Sequence, residues 1–126
     1  MQLATGAVGR VETTVTEADT AQTLGSGDVP VLGTPRIVAL VEAATVVATA
    51  GRLDSGLTTV GTRVELDHRS ATPVGRRVTA TATLTTVEGR RLVFEVTVTD
   101  GETVAATGRI ERAIVDRHRF LERAFA

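Results

Sequence analysis

Thr34, Glu42 and His68 place a hydroxyl, a carboxylate and an imidazole in a chain that has one other histidine and no cysteine. Such groups are the ingredients of an acyl-transfer site: a nucleophilic or water-orienting hydroxyl, a general base and a group that holds the base. Each also has a plainer reading. Thr34 stands before Pro35 at a helix start, where threonine caps orphan amides and stabilises by about 1 kcal/mol. Glu42 lies among Leu40, Val41, Ala43 and Ala44, where a carboxylate is costly unless it pairs with an arginine or reaches solvent. His68 follows Val64-Glu65-Leu66-Asp67 at a strand end, facing either a pocket or a surface turn. As a general base it needs its ring held, and Glu42 is the candidate. His118, between Arg117 and Arg119, reads as solvated.

The elements that carry these residues follow from hydrophobic periodicity. Val8–Thr16 alternates imperfectly and predicts a first strand. Residues 17–33 read as a loop, with Gly25-Ser26-Gly27-Asp28-Val29-Pro30 as a mobile connector or a lid. Residues 35–50 read as a helix, with Thr34 as N-cap, Pro35 at the first helical position and Gly51 as the stop. Its apolar residues occupy nearly every side, so it must be buried, with the sheet wrapped around it. Strands are predicted over 58–68, 77–87, 91–99 and 103–115. Glu88-Gly89 and Asp100-Gly101 supply tight turns, and 116–126 reads as a short, charged, exposed helix. One buried helix followed by an antiparallel meander is an α+β arrangement in one domain over 1–126.

Composition narrows the function. Fourteen basic and fifteen acidic residues give a net charge of -1, which argues against general nucleic-acid binding. Three Phe, with no Trp or Tyr, leave no stacking platforms for single-stranded bases. Residues 1–24 lack the basic start and apolar stretch of a signal peptide. The apolar stretch 37–50 is too short to span a bilayer, so the expectation is a cytoplasmic protein with no membrane partner. A core of small side chains leaves apolar surface for an oligomer to bury.

Several short motifs, in order, resemble a hotdog-fold thioesterase, closest to the fluoroacetyl-CoA thioesterase group. They are Gly33-Thr34 with Glu42 eight residues on, Gly61-Thr62 leading to His68, Ala71-Thr72-Pro73 with Gly75, Val87-Glu88-Gly89-Arg90-Arg91-Leu92, and Glu111-Arg112-Ala113. The resemblance covers roughly residues 8–122. The resemblance implies a homodimer that hydrolyses an acyl-CoA, with Thr34, Glu42 and His68 catalytic, Gly61 at the substrate carbonyl and Arg112 near the pocket. It implies no metal and no cofactor beyond the coenzyme A of the substrate. The family member that selects fluoroacetate carries aromatic residues in the loop before its threonine. Residues 25–33 here carry none, which leaves the acyl group open.

Spacing sets one constraint. Eight helical residues separate Thr34 from Glu42 by about 12 Å along the axis and about 80° around it, too far for a direct bond. Either His68 bridges them around the substrate, or two subunits compose the site, with Thr34 facing a Glu42–His68 pair across a dimer interface. Two alternatives stand beside hydrolysis: a non-catalytic acyl-CoA or small-ligand binding protein on the same fold, and a hotdog dehydratase or hydratase. The latter usually carries an Asp and a His on the helix, and this helix has no histidine.

Overall fold

A computed structural model describes residues 2–126. Strand β1 (Val8–Thr14) is followed by a 3-10 turn (Glu17–Asp19), the short helix α1 (Ala21–Leu24) and the long helix α2 (Thr34–Thr49). Four strands come next, β2 (Leu57–His68), β3 (Arg77–Glu88), β4 (Arg91–Asp100) and β5 (Thr103–Asp116), and then helix α3 (Arg117–Ala124). All five strands form one antiparallel sheet in the order β1-β3-β4-β5-β2. The meander β3-β4-β5 is contiguous because two-residue loops join its strands. β1 and β2, separated in sequence by α2, become the two edges.

Alternation explains which face is covered. Val78, Ala80, Ala82 and Leu84 of β3 are buried, and they face Phe94, Val96, Val98 and Ile110 together with Ile37, Leu40, Val41, Ala44 and Ala48 of α2. This is the expected hotdog arrangement, a sheet curled around a helix. The sheet covers one side of α2. The outward side leaves Ala39 and Ala43 exposed, with Val46 at 50% and Val47 at 47% exposure. Close packing on the inward side depends on Gly9. A Cβ there would run into the backbone of Ala44 and Ala48, so helix and strand meet with no side chain between them.

The segment over 17–33 has more structure than the loop predicted for it. Thr16 turns the chain by giving both its N–H (2.8 Å) and its hydroxyl (3.0 Å) to the Asp19 carboxylate, a capping box. Arg36 of α2 grips the same carboxylate at 2.9 Å. Gly33 N–H reaches Asp19 O, Ala21 N–H reaches Val31 O and Leu32 N–H reaches Thr72 O, each at 2.9 Å. Among the described residues, no helix is long and apolar enough to cross a membrane.

Candidate active site

Thr34 is the first residue of α2, and the N-cap position belongs to Gly33. This corrects the capping expectation. The Gly33 carbonyl accepts from Arg36 N–H (3.0 Å) and Ile37 N–H (3.2 Å), so the first turn closes on backbone alone. The Thr34 hydroxyl is released for other work, and it lies 2.8 Å from Nδ1 of His68. Pro35 has no N–H and Arg36 N–H is occupied. The amide of Thr34 itself is therefore the first-turn donor left without an acceptor among the described residues, next to the positive end of the helix dipole.

His68 ends β2, opposite Ala106 of β5. Beyond it the chain is held by Arg69 N–H (2.7 Å) and Ser70 N–H (3.2 Å) on Ala105 O. That fixes the strand end from which the imidazole projects. Its Nε2 is buried without a hydrogen-bond partner, as is the hydroxyl of Thr72 four residues on. A buried imidazole nitrogen lacking a partner is costly and calls for an occupant that can hydrogen-bond to it.

Glu42 does not hold His68, contrary to the expectation above. Its Oε2 pairs with Arg112 Nη1 at 3.0 Å. Arg112 projects from β5 and is 7% exposed. Thr59 of β2 binds it twice, accepting from Nε on its hydroxyl (2.9 Å) and from Nη2 on its carbonyl (3.0 Å). Burial lowers the pKa of Arg112, and the Glu42 carboxylate works in the opposite direction. Gly61, opposite Arg112 in the ladder, sits against this pair. A Cβ at Gly61 would occupy the place of Glu42 Oε2. The register slips between Gly61 and Arg63, a bulge that leaves Thr62 bonded through its hydroxyl to Glu111 O at 3.1 Å.

The reason for this regrouping is direction. β2 runs against α2, with His68 at the helix mouth and Gly61 beside the helix middle. Glu42 therefore meets what lies across from Gly61, namely Arg112. The Thr34–His68 contact also forms within one chain, which removes the need for a second subunit to bring those two together. Thr59 carries no sequence signal of its own, since it is one of many strand threonines. His118 is solvent-exposed and pairs with Glu122 at 3.3 Å. No group of His, Cys, Asp and Glu suited to a metal ion occurs among the described residues.

The chain that carries this arrangement is similar to proteins already described. Residues 15–118 match the family described as fluoroacetyl-CoA-specific thioesterase, FlK. The crystal structure of FlK superimposes with a TM-score of 0.90 at 33% identity, over 97% of this chain and 95% of that one. FlK has also been solved, as a mutant, with fluoroacetate and CoA. A Thermus thermophilus thioesterase superfamily member gives 0.88 at 27% identity, over 97% of this chain and 90% of that one. A hot-dog-like protein from Thermanaerovibrio acidaminovorans gives 0.90 at 26%, over 98% and 92%. Comparison with curated proteins gave no match.

Proposed function

Because the chain belongs to the fluoroacetyl-CoA-specific thioesterase family and is a thioester hydrolase, we propose that it cleaves short-chain acyl-CoA thioesters as a homodimer, with Thr34, His68 and Glu42 as its catalytic residues. The 2.8 Å contact between Thr34 Oγ1 and His68 Nδ1 carries this reading. His68 in its neutral form takes the hydroxyl proton, directly from Thr34 or from a water that Thr34 positions, as the new C–O bond forms at the thioester carbon. The developing oxyanion is stabilised by the free Thr34 amide and the dipole of α2. The C–S bond then breaks, and the sulfur leaves with the proton held by His68. Where Thr34 is the attacking group, a water that gives its proton to His68 then cleaves the acyl–Thr34 ester, and the hydroxyl regains its proton. Overall one water is consumed, and one carboxylic acid and one thiol are released.

Glu42 acts apart from the imidazole. Its Oε2 is committed to Arg112, while Oε1 has no bond among the described residues. Its side chain is 34% exposed, enough to receive a water or a polar part of the substrate beside Gly61. Residues 25–33 contain no aromatic side chain, so we place the preference on short acyl groups generally, without selection for fluorine.

The dimer reading draws on β2. It is a 12-residue edge strand with one side of its backbone unpaired, and residues 61–65 are exposed. Such an edge is a template for a second copy, and the outward Val46 and Val47 of α2 add apolar surface for a partner. A thiol-release assay over a panel of acyl-CoAs tests the activity, with short acyl groups expected to turn over fastest. Saturable binding of acyl-CoA without turnover, unchanged in His68→Ala, would overturn it.

A further inference from the structure

At the far end of the sheet from the Thr34–His68 pair lies a cavity of about 300 Å³, lined by Arg90, Ile114, Val115, Asp116, Arg119, Phe120 and Arg123. That volume is within the range of small-molecule sites. All fourteen basic residues of this chain are arginines. Six of them, at 36, 63, 76, 77, 91 and 112, are ion-paired. The three around this cavity have no carboxylate within salt-bridge distance among the described residues. Arg119 and Arg123 stand one helical turn apart on α3, and Arg90 enters from the β3–β4 loop with one long bond, 3.4 Å, to Ile114 O.

One carboxylate shares the cavity, and it is engaged. Asp116 accepts from Arg119 N–H at 3.0 Å as the N-cap of α3. The remaining lining is apolar, with Phe120 at 40% exposure. Three unpaired guanidinium forks beside an aromatic ring suit a ligand with several phosphate oxygens and one flat ring. Arginine binds phosphate through paired N–H donors, and Phe120, a single ring where a nucleic-acid strand needs several, offers a face for one planar base.

We infer that this cavity binds the phosphates and base of an adenine nucleotide. The inference deepens the thioesterase reading, on which its choice of nucleotide rests, because coenzyme A ends in a 3′-phosphorylated adenosine diphosphate. Geometry adds a condition. Ten residues of β5 separate Ala106, opposite His68, from Asp116, opposite Leu57, about 33 Å of strand. The cavity is therefore too distant to serve the catalytic pair of its own chain. An antiparallel pairing of two β2 edges about their midpoint sets the Leu57 end of one copy beside the His68 end of the other. The cavity of each copy then lies two strands across from its neighbour's catalytic pair.

Calorimetric titration of the full chain with 3′,5′-ADP, ADP and inorganic phosphate reads binding without requiring turnover. The double substitution Arg119→Glu/Arg123→Glu lies on the exposed face of α3, where folding is not at stake. It is expected to weaken 3′,5′-ADP binding at least tenfold, whereas Arg10→Glu on the β1 edge controls for net charge and changes it less than twofold. The KM for an acyl-CoA, relative to the same acyl group on N-acetylcysteamine, should rise about tenfold in the double variant. Binding lost without that change in KM ratio assigns the cavity to a free nucleotide and still supports it as a nucleotide site. No saturable binding of 3′,5′-ADP or ADP, or equal loss in Arg10→Glu, would overturn it. Absence of turnover on every thioester would instead defeat the hydrolase reading and leave the binding result standing.

Discussion

The two ends of the first half of α2 solve opposite problems. At the mouth, Thr34 and His68 form a hydroxyl–imidazole contact, and one imidazole nitrogen is left buried and unsatisfied. Two turns further in, Glu42 and Arg112 form a charged contact in which the guanidinium is satisfied by Glu42 and by Thr59. In the first, the Thr34 hydroxyl is set against Nδ1, the nitrogen to which its proton would move. The second is arranged so that charge stays put. On the proposed reading, general-base work falls to the mouth and electrostatic positioning to the interior.

The sharpest way to break this division is to remove the imidazole. His68→Ala should lower kcat by about a thousandfold, a general base being worth about 10² to 10⁴, with little change in thermal midpoint. Thr34→Ala should follow in the same direction, and Thr34→Ser should retain most of the rate. Because both residues come from one chain, co-refolded Thr34→Ala and His68→Ala chains should show no activity above their parents. Recovery would mean that the pair forms between subunits.

The interior should respond in stability first. Glu42→Gln is expected to cost about 2 kcal/mol in denaturant unfolding. That is below the roughly 3–5 kcal/mol of a fully buried pair, because water reaches the carboxylate. An Arg112→Gln, Glu42→Gln cycle should show coupling of about 1 kcal/mol or more, and no coupling would dissolve the pair as a unit. Gly61→Ala should destabilise by about 1–2 kcal/mol by pushing on Glu42 Oε2. The same substitution in a Glu42→Ala background should cost far less, and an equal cost in both would locate the clash elsewhere.

The smallest effect lies in the segment before the mouth. Burial works to raise the pKa of Asp19, but the Thr16 N–H and hydroxyl and the Arg36 guanidinium together lower it below its ordinary value of 3.8. A carboxylate depressed on folding stabilises above its unfolded pKa and loses that contribution as pH falls through the folded one. Asp19→Ala should therefore cost about 1 kcal/mol near neutrality, a typical value for a lost cap. The gap between variant and wild type should narrow as pH falls below 3.8 and close once the folded carboxyl is protonated. A gap that persists in acid would show that shape, not charge, is what Asp19 supplies.

The sheet, the helix and the hairpins were legible in the sequence because alternation and a Pro-led apolar run are local signals. The identity of each partner was not. Eight residues of helix fix the distance from Thr34 to Glu42, but only the relative direction of α2 and β2 decides that His68 meets the former and Arg112 the latter. Arg112 itself stood out only through resemblance, since an arginine in the strand Arg109-Ile110-Glu111-Arg112 has no local mark of burial. The capping role given to Thr34 was undone by Gly33, whose carbonyl closes the first turn without help from a side chain. Residues 17–33 looked loose because Asp19 acquires its partners from Thr16 and Arg36, one local and one seventeen residues away.

Gly9 has a mechanical consequence. With no side chain between β1 and α2 at that point, the helix has no cushion to slide on and serves as a fixed rail for everything mounted along it. A single methyl group there would lift the rail and misalign the mouth and the interior together. Whatever conformational freedom the enzyme uses must then come from pieces that move past α2 and not from α2 itself.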